Sequence, residues 1–123
     1  MRVSYPARGV VRTSANGIAT VLGASRLVRW VDVAIAAGER PLVFHDWYDV
    51  TGYDPPVRRM LASWYTRVFH DVQGVYILSS NKIVSMGVSL VSIAMGNVIV
   101  SLKGRLDLDV ALAAAIRAAQ RAS

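Results

Sequence analysis

The stretch that decides the fold covers residues 40–61 and reads Arg40-Pro-Leu-Val-Phe-His-Asp-Trp-Tyr-Asp-Val-Thr-Gly-Tyr-Asp-Pro-Pro-Val-Arg-Arg-Met-Leu61. Residues 42–44 form an apolar run with the length and composition of a buried strand. Residues 45–53 are polar and aromatic and indicate a loop, after which a helix is expected to begin. Asp54 is a favoured N-cap, and Pro55 supplies the backbone φ that suits the first helical position. The stretch therefore predicts a strand, a loop and a capped helix, which together make half of a βαβ unit.

The remaining segments continue this alternation along the chain. An N-terminal β-hairpin is predicted over residues 2–22, with strands 8–13 and 18–22 around the tight-turn dipeptide Asn16-Gly17 and a further short strand over residues 2–5. Helices are predicted over 25–37, from Asp54, over 82–95 after the cap residues Ser79-Ser80-Asn81, and from Asp107 or Asp109, and further strands over 75–78 and 97–103. The fold class is thus α/β: a mixed, mostly parallel sheet of four to five strands with four helices and an N-terminal hairpin. At this length we expect a single domain, residues 1–123.

Composition limits the classes of protein. The chain is 54% hydrophobic and 18% charged, which excludes a disordered protein. It has no cysteine, which excludes disulfides, thiolate metal sites and cysteine nucleophiles. The start lacks the apolar core of a signal peptide, and the apolar stretch 83–102 is interrupted by Ser, Gly and Asn, so we expect a cytoplasmic protein without a transmembrane segment.

Charge and glycine patterns bear on partners and cofactors. The net charge is +6, but the arginines are spread along the chain, and no stretch has more than two adjacent basic residues. This spread does not favour a nucleic-acid partner. No glycine-rich phosphate loop follows a strand, so no nucleotide cofactor is predicted, and we expect no cofactor of any kind.

The third helix is apolar nearly all round, which is typical of a helix buried on more than one side. One line along it is Ile83, Met86, Leu90 and Ile93, and the next is Val84, Val88, Val91 and Met95. In a small domain such a helix indicates an external contact. We therefore take the second line, Val84, Val88, Val91 and Met95, as a candidate surface for a homodimer or for a small apolar ligand.

The chain resembles the STAS fold, the sulfate-transporter and anti-sigma-factor-antagonist domain. The resemblance covers nearly the whole chain in element order, and its sequence support lies in residues 44–54, Arg58 and residues 85–89. It is closest to divergent bacterial members with a strand, an Asp-Trp loop and a helix that begins like Gly52-Tyr-Asp-Pro-Pro-Val-Arg-Arg59.

The resemblance implies a non-catalytic module that binds a protein partner. In the antagonists a serine after an aspartate at the start of the second helix is phosphorylated, whereas here Asp54 is followed by two prolines. The chain therefore lacks that phospho-acceptor, and Thr51 does not match the motif. The family's docking surface maps provisionally onto Asp46, Trp47, Tyr53, Asp54 and Arg58.

Several side chains in the central stretch allow two interpretations. The aromatic residues Trp47, Tyr48 and Tyr53 are either pinned over the end of the sheet or kept for a partner. Arg58 and Arg59 either clamp an anion or pair with Asp46 or Asp49.

The acidic residues of the same stretch offer a further pair of alternatives. Asp46, Asp49 and Asp54, with His45, either form a metal or acid–base cluster or serve turns and a cap. Their spacing matches no ligand motif, so no metal site is predicted.

Three functional hypotheses follow from these observations. The favoured one is a cytoplasmic, non-catalytic protein-interaction module, regulatory or scaffolding and homodimeric, with Asp46, Trp47, Tyr48, Tyr53, Asp54, Arg58 and Arg59 at the partner surface. The second is a carrier or sensor of a small apolar ligand held between the third helix and the sheet. The third is a hydrolase-type enzyme that uses Asp46, Asp49 or His45.

Overall fold

The computed structural model describes residues 1–96 and 99–122. Five strands and four helices are assigned in chain order: β1 (Arg2–Ala7), β2 (Val10–Ala19), α1 (Val21–Ala36), β3 (Leu42–Tyr53), α2 (Pro55–Val68), β4 (Gly74–Ser79), α3 (Lys82–Ala94), β5 (Ile99–Leu102) and α4 (Arg105–Ala122). The sheet has the order β1-β2-β3-β4-β5, in which β1 is antiparallel to β2 and every other neighbouring pair is parallel. The predicted α/β class, with an N-terminal hairpin and a mostly parallel sheet, is confirmed.

The helices cover both faces of the sheet. Helices α1, α2 and α3 pack on one face, where Leu27, Leu61 and Val84 share a core with the sheet residues Val43 and Ile77. Helix α4 covers the other face through Leu108 and Ala115, which pack with the strand residues Val10, Phe44 and Leu78. Successive residues of a strand point to opposite faces, so neighbours in β3 enter different layers of the protein.

The central strand is much longer than the sequence predicted. Residues 45–53, expected as a loop, continue β3 without interruption, because β2 pairs with this strand from Leu42 to Tyr53. Pairing with β4 stops at Trp47 and Ser79, so among the described strands the second half of β3 pairs only with β2. The polar composition resembled a loop because two polar residues in this run, His45 and Asp46, are buried with partners.

The hairpin forms at a different turn from the one predicted. It joins β1 to β2 at Arg8 and Gly9, and Gly9 has a φ of 75°. Asn16 and Gly17 lie inside β2, next to shifts in its register against β3. The left-handed φ of 67° at Gly17 therefore produces an irregularity in a strand and not a reversal of the chain.

Helix starts follow the predicted capping residues in two of four cases. Helix α2 begins after Asp54 with prolines in its first turn, as predicted, although the Asp54 side chain makes no capping hydrogen bond. Helix α3 begins after Asn81, whose Oδ1 accepts hydrogen bonds from the amides of Ile83 (2.9 Å) and Val84 (3.2 Å). Helix α1 begins four residues earlier than predicted, after the N-cap Thr20.

The C-terminal elements are shifted relative to the prediction. Helix α4 begins at Arg105, before the predicted caps Asp107 and Asp109. The predicted start of the last strand, at Asn97 and Val98, lies outside the described residues. Within the described part of the chain no helix is long and apolar enough to cross a membrane.

Candidate functional site

A chain of three buried polar side chains runs from β2 through β3 to α2. The Oγ1 of Thr13 lies 2.7 Å from Nδ1 of His45, and Nε2 of His45 lies 2.6 Å from the hydroxyl of Tyr65. Burial lowers the pKa of His45 to about 3 and raises the pKa of the Tyr65 hydroxyl well above its usual range. Both groups are therefore neutral, and one imidazole nitrogen donates while the other accepts.

Trp47 stacks on this buried chain. Its ring lies 4.4 Å from the imidazole of His45, and only 9% of the residue is exposed. Its Nε1 is buried and has no hydrogen-bond partner among the described residues. In this structure Trp47 therefore packs against the sheet, which is the first of its two interpretations, and it does not protrude into solvent.

The acidic residues of β3 face the opposite side of the sheet and bind arginine. Arg105, at the start of α4, donates to Asp46 Oδ2 (2.7 Å) and to Asp49 Oδ2 (2.9 Å), and Arg12 lies 3.5 Å from the same Asp46 oxygen. Chiefly through the charge of Asp46, this pairing raises the pKa of Arg105. Of the two interpretations of Arg58 and Arg59, pairing with these aspartates is not found among the described residues. Arg105 was missed because its distance from them in sequence leaves no local signal.

The exposed members of the predicted docking set are divided between two places. Tyr48 lies under Arg105, whose guanidinium carbon is 5.0 Å from the ring centroid. Asp54, Arg58 and Arg59 are exposed at the start of α2. The other members are less accessible: Asp46 and Trp47 are buried, and Tyr53 is half-buried.

An apolar cavity of about 60 Å³ lies between α2, α3 and the carboxyl half of the sheet. Its walls include Trp47, Tyr53, Tyr65, Val84, Val88 and Val91. Three of the four residues proposed for a dimer or ligand surface thus line an internal space, and the fourth, Met95, is completely buried. Val84 and Met95 are buried and Val88 and Val91 are half-buried, so this line faces the sheet, and its assignment as a dimer or ligand surface stays a prediction.

The other line of α3 faces solvent, contrary to the expectation of burial all round. Ile83, Met86, Leu90 and Ile93 are 62%, 67%, 55% and 69% exposed. Such a row of large apolar side chains on one helix is a feature that soluble proteins generally use for contacts.

The arrangement separates the groups that a hydrolytic site would need together. His45 points to the face covered by α2, whereas Asp46 and Asp49 bind Arg105 at the start of α4. In the described ranges, 1–96 and 99–122, no three His, Cys, Asp or Glu side chains are grouped as a metal site would require. The geometry therefore consists of a neutral buried network, Thr13, His45 and Tyr65, and a separate pair of aspartates, Asp46 and Asp49, whose charge is balanced by arginine.

Comparison with known proteins identifies the fold. No protein-family model matches the sequence, and no curated protein is similar to it in sequence. Among solved structures, the chain is similar to an uncharacterized protein of the DUF3478 family with a SpoIIAA-like fold from Shewanella loihica PV-4. The two share 10% sequence identity with a TM-score of 0.64, over 84% of this chain and 83% of the other. The chain therefore has a SpoIIAA-like fold, and the predicted STAS-like architecture is confirmed.

Proposed function

We propose that the chain is a non-catalytic protein-interaction module, regulatory or scaffolding, that acts through the outer face of α3. The observation that carries this proposal is the exposed row Ile83, Met86, Leu90 and Ile93, which we call the α3 outer row. The SpoIIAA-like fold, which suggests regulatory and interaction modules, supports the same class of function. The absence of cysteine fits a reducing compartment, and we propose a cytoplasmic location.

The spacing of the α3 outer row favours a helix as the contacting element. Its members are separated by three, four and three residues, which is the spacing of the apolar seam in a coiled coil. A helix laid along this seam would insert its own apolar side chains between those of α3. A flat or polar partner surface would not fill the spaces between the apolar side chains of α3.

A second copy of the chain is the partner that fits this seam best. Lys82, at its first position, is the one charged residue of α3, so the row demands no complementary charge from its partner. Two copies of α3 related by a two-fold axis and running antiparallel would place their Lys82 side chains at opposite ends. The seam would then be apolar against apolar, without like charges facing each other.

The buried groups support a role without catalysis. His45 is neutral and enclosed, and Asp46 is bound by two arginines, so neither is available as a general acid or base. Among the described residues, those named in the third hypothesis, a hydrolase, are not grouped into one site.

The oligomeric state in solution tests the proposal. We expect light scattering after size-exclusion chromatography to give a mass that rises toward that of a dimer as the protein concentration is increased. Leu90→Glu and Met86→Glu each place a charge in the seam and should return the protein to the monomer. Leu106→Glu is the matched control, because Leu106 is 75% exposed and lies on α4, across the sheet from α3.

Two results would contradict the proposal. One is a wild-type mass that stays monomeric over the whole concentration range. The other is a dimer that survives Leu90→Glu but is disrupted by Leu106→Glu, which would place the contact on α4.

A further inference from the structure

The cavity beneath α3 is distinct from the outer row and has its own chemistry. Protein interiors are packed so closely that voids larger than a water molecule are few. This one is surrounded by aliphatic and aromatic side chains, among them Trp47, Leu61, Val88 and Ile99, and it is partly open to solvent. An apolar space of this kind holds water poorly and is filled favourably by hydrocarbon.

The size of the cavity limits what enters it as it stands. Its volume of about 60 Å³ is below the ~150 Å³ at which an apolar cavity takes up benzene, so it accommodates a short alkyl group. A longer chain requires α3 to move away from the sheet. In the monomer the outer row of α3 contacts solvent, so no described element of the same chain covers the helix on the side toward which it would move.

The helix is nevertheless anchored at its first turn. Ser80 donates to the carbonyl of Tyr48 (2.6 Å), and Asn81 donates to the carbonyl of Thr51 (3.2 Å). These bonds fix the start of α3 to the end of β3. The cavity can therefore widen beneath the middle of α3 while the start of the helix stays in place.

The side chain of Arg58 places a positive charge at the edge of this apolar space. Arg58 contributes to the cavity lining while its side chain is exposed, and no carboxylate among the described residues forms an ion pair with it. The adjacent Arg59 is also exposed but does not line the cavity. An arginine favours carboxylate above other organic head groups of this size because its two N–H groups match the two oxygens.

We propose that this cavity is a binding site for a small amphipathic carboxylate, with its aliphatic tail between α3 and the sheet and its head group at Arg58. The tail adds hydrophobic contacts to Trp47, Val84 and Val88, and the head group stays at the solvent edge. The site uses the inner side of α3, whereas the proposed contact with a second copy uses the outer row, so the two occupy different faces of the same helix.

A chain-length series tests the tail. Acetate, butanoate, hexanoate and octanoate are titrated into the protein, and the indole N–H resonance of Trp47 is followed by NMR, assigned by its loss in Trp47→Phe. We expect affinity to rise about fourfold for each added methylene while the tail fits the cavity, and by less for the longer tails, because these require α3 to move. The shift should be larger at Trp47 than at the exposed Trp30.

Two matched pairs of variants test the position of the ligand. Arg58→Gln should weaken octanoate binding about tenfold and leave binding of methyl octanoate unchanged, whereas Arg59→Gln should alter neither. Val88→Phe should block binding by filling the cavity, and Leu90→Phe, on the outer face of the same helix, should not.

Each alternative outcome has a definite meaning. An affinity independent of chain length, or octanoate shifts that leave Trp47 unmoved, would overturn the cavity as the site. Equal binding of octanoate and its methyl ester, or equal effects of Arg58→Gln and Arg59→Gln, would overturn the head-group assignment. Both arginine variants alter surface residues and keep the core intact, so they remain informative if Val88→Phe does not fold.

Discussion

The imidazole Nε2 of His45 lies 2.6 Å from the hydroxyl of Tyr65, in a layer where neither side chain reaches solvent. This bond joins the central strand to α2. The hydroxyl of Thr13, in β2, is the hydrogen-bond partner of the other imidazole nitrogen, Nδ1. A buried polar network of this kind is stable when every member has a partner and costly when one loses it. The protein should therefore be sensitive to any change that charges or removes His45.

Acidification should destabilise the protein through His45. The folded pKa is about 3, whereas an unperturbed histidine titrates near 6.5, so the unfolded chain binds an additional proton between these values. Stability that is present above pH 6.5 is therefore lost as the pH falls, by about 2 kcal/mol between pH 7 and pH 5. Urea unfolding followed by tryptophan fluorescence at several pH values in this range measures the loss.

The second histidine provides the control for this experiment. His70 is exposed beyond the end of α2, so His70→Gln should retain the pH dependence. His45→Gln should lower stability at pH 7 and remove most of the dependence between pH 7 and pH 5. An unchanged dependence in His45→Gln would show that another group is responsible.

The two aspartates of β3 should differ in their importance. Asp46 has a side chain only 8% exposed and is bound by Arg12 and Arg105, whereas the side chain of Asp49 is 63% exposed and, within the described part of the chain, forms an ion pair with Arg105 only. Exposed ion pairs contribute little to stability. Asp46→Asn should therefore lower the melting temperature clearly more than Asp49→Asn. Equal effects of the two substitutions, measured at the same pH and salt concentration, would contradict this ranking.

The order of elements was predictable from sequence because each depended on a local signal. The start of α2 at Asp54 and Pro55 and that of α3 at Asn81 follow from capping chemistry that acts within one helical turn. The alternation of strands and helices then required a mostly parallel sheet. These features need no knowledge of distant residues.

The site was predictable only in part because its contacts join distant segments. Arg105 forms an ion pair with Asp46 from 59 positions away, and Thr13 hydrogen-bonds to His45 from 32 positions away. Because these partners are distant in sequence, the polar residues of 45–53 indicate a loop when the sequence is read locally. Likewise, periodicity showed that α3 has two apolar lines but not which of them faces the sheet. Burial of the Val84 line and exposure of the Ile83 line depend on how α3 is attached at Asn81.

The two buried tryptophans should respond differently to the same substitution. Trp64 donates from Nε1 to Asp32 (2.8 Å), whereas the buried Nε1 of Trp47 has no partner among the described residues. Conversion to phenylalanine removes a similar volume in both cases, but only in Trp64 does it remove a hydrogen bond. Trp64→Phe should therefore cost about 1–2 kcal/mol more than Trp47→Phe.

Chemical denaturation of the two variants under identical conditions gives this difference. Since both substitutions remove a fluorophore, unfolding is best followed by circular dichroism. A larger loss in Trp47→Phe would mean that its indole N–H has a partner in solution, such as a bound water.

Gly87 and Tyr53 should be energetically coupled. Gly87 faces the Tyr53 ring so closely that an added Cβ would lie 3.1 Å from its hydroxyl oxygen and 3.3 Å from Cε1. In an otherwise open helix, alanine in place of glycine is favourable by about 1 kcal/mol. Here the methyl group must displace the ring, so that gain is reduced or reversed. Removing the ring should restore it, and Gly87→Ala is therefore expected to be more favourable in a Tyr53→Leu background than in the wild type.

A double-mutant cycle measures this coupling without depending on the sign of either single effect. The free energy of unfolding is determined for the wild type, for Gly87→Ala, for Tyr53→Leu and for the double variant. We expect an interaction energy of about 0.5–1 kcal/mol, because the two groups are in contact and the ring is only half-buried. Strict additivity of the two substitutions would mean that α3 lies further from the end of β3 than in this structure. The wall that α3 provides for the cavity would then be displaced as well.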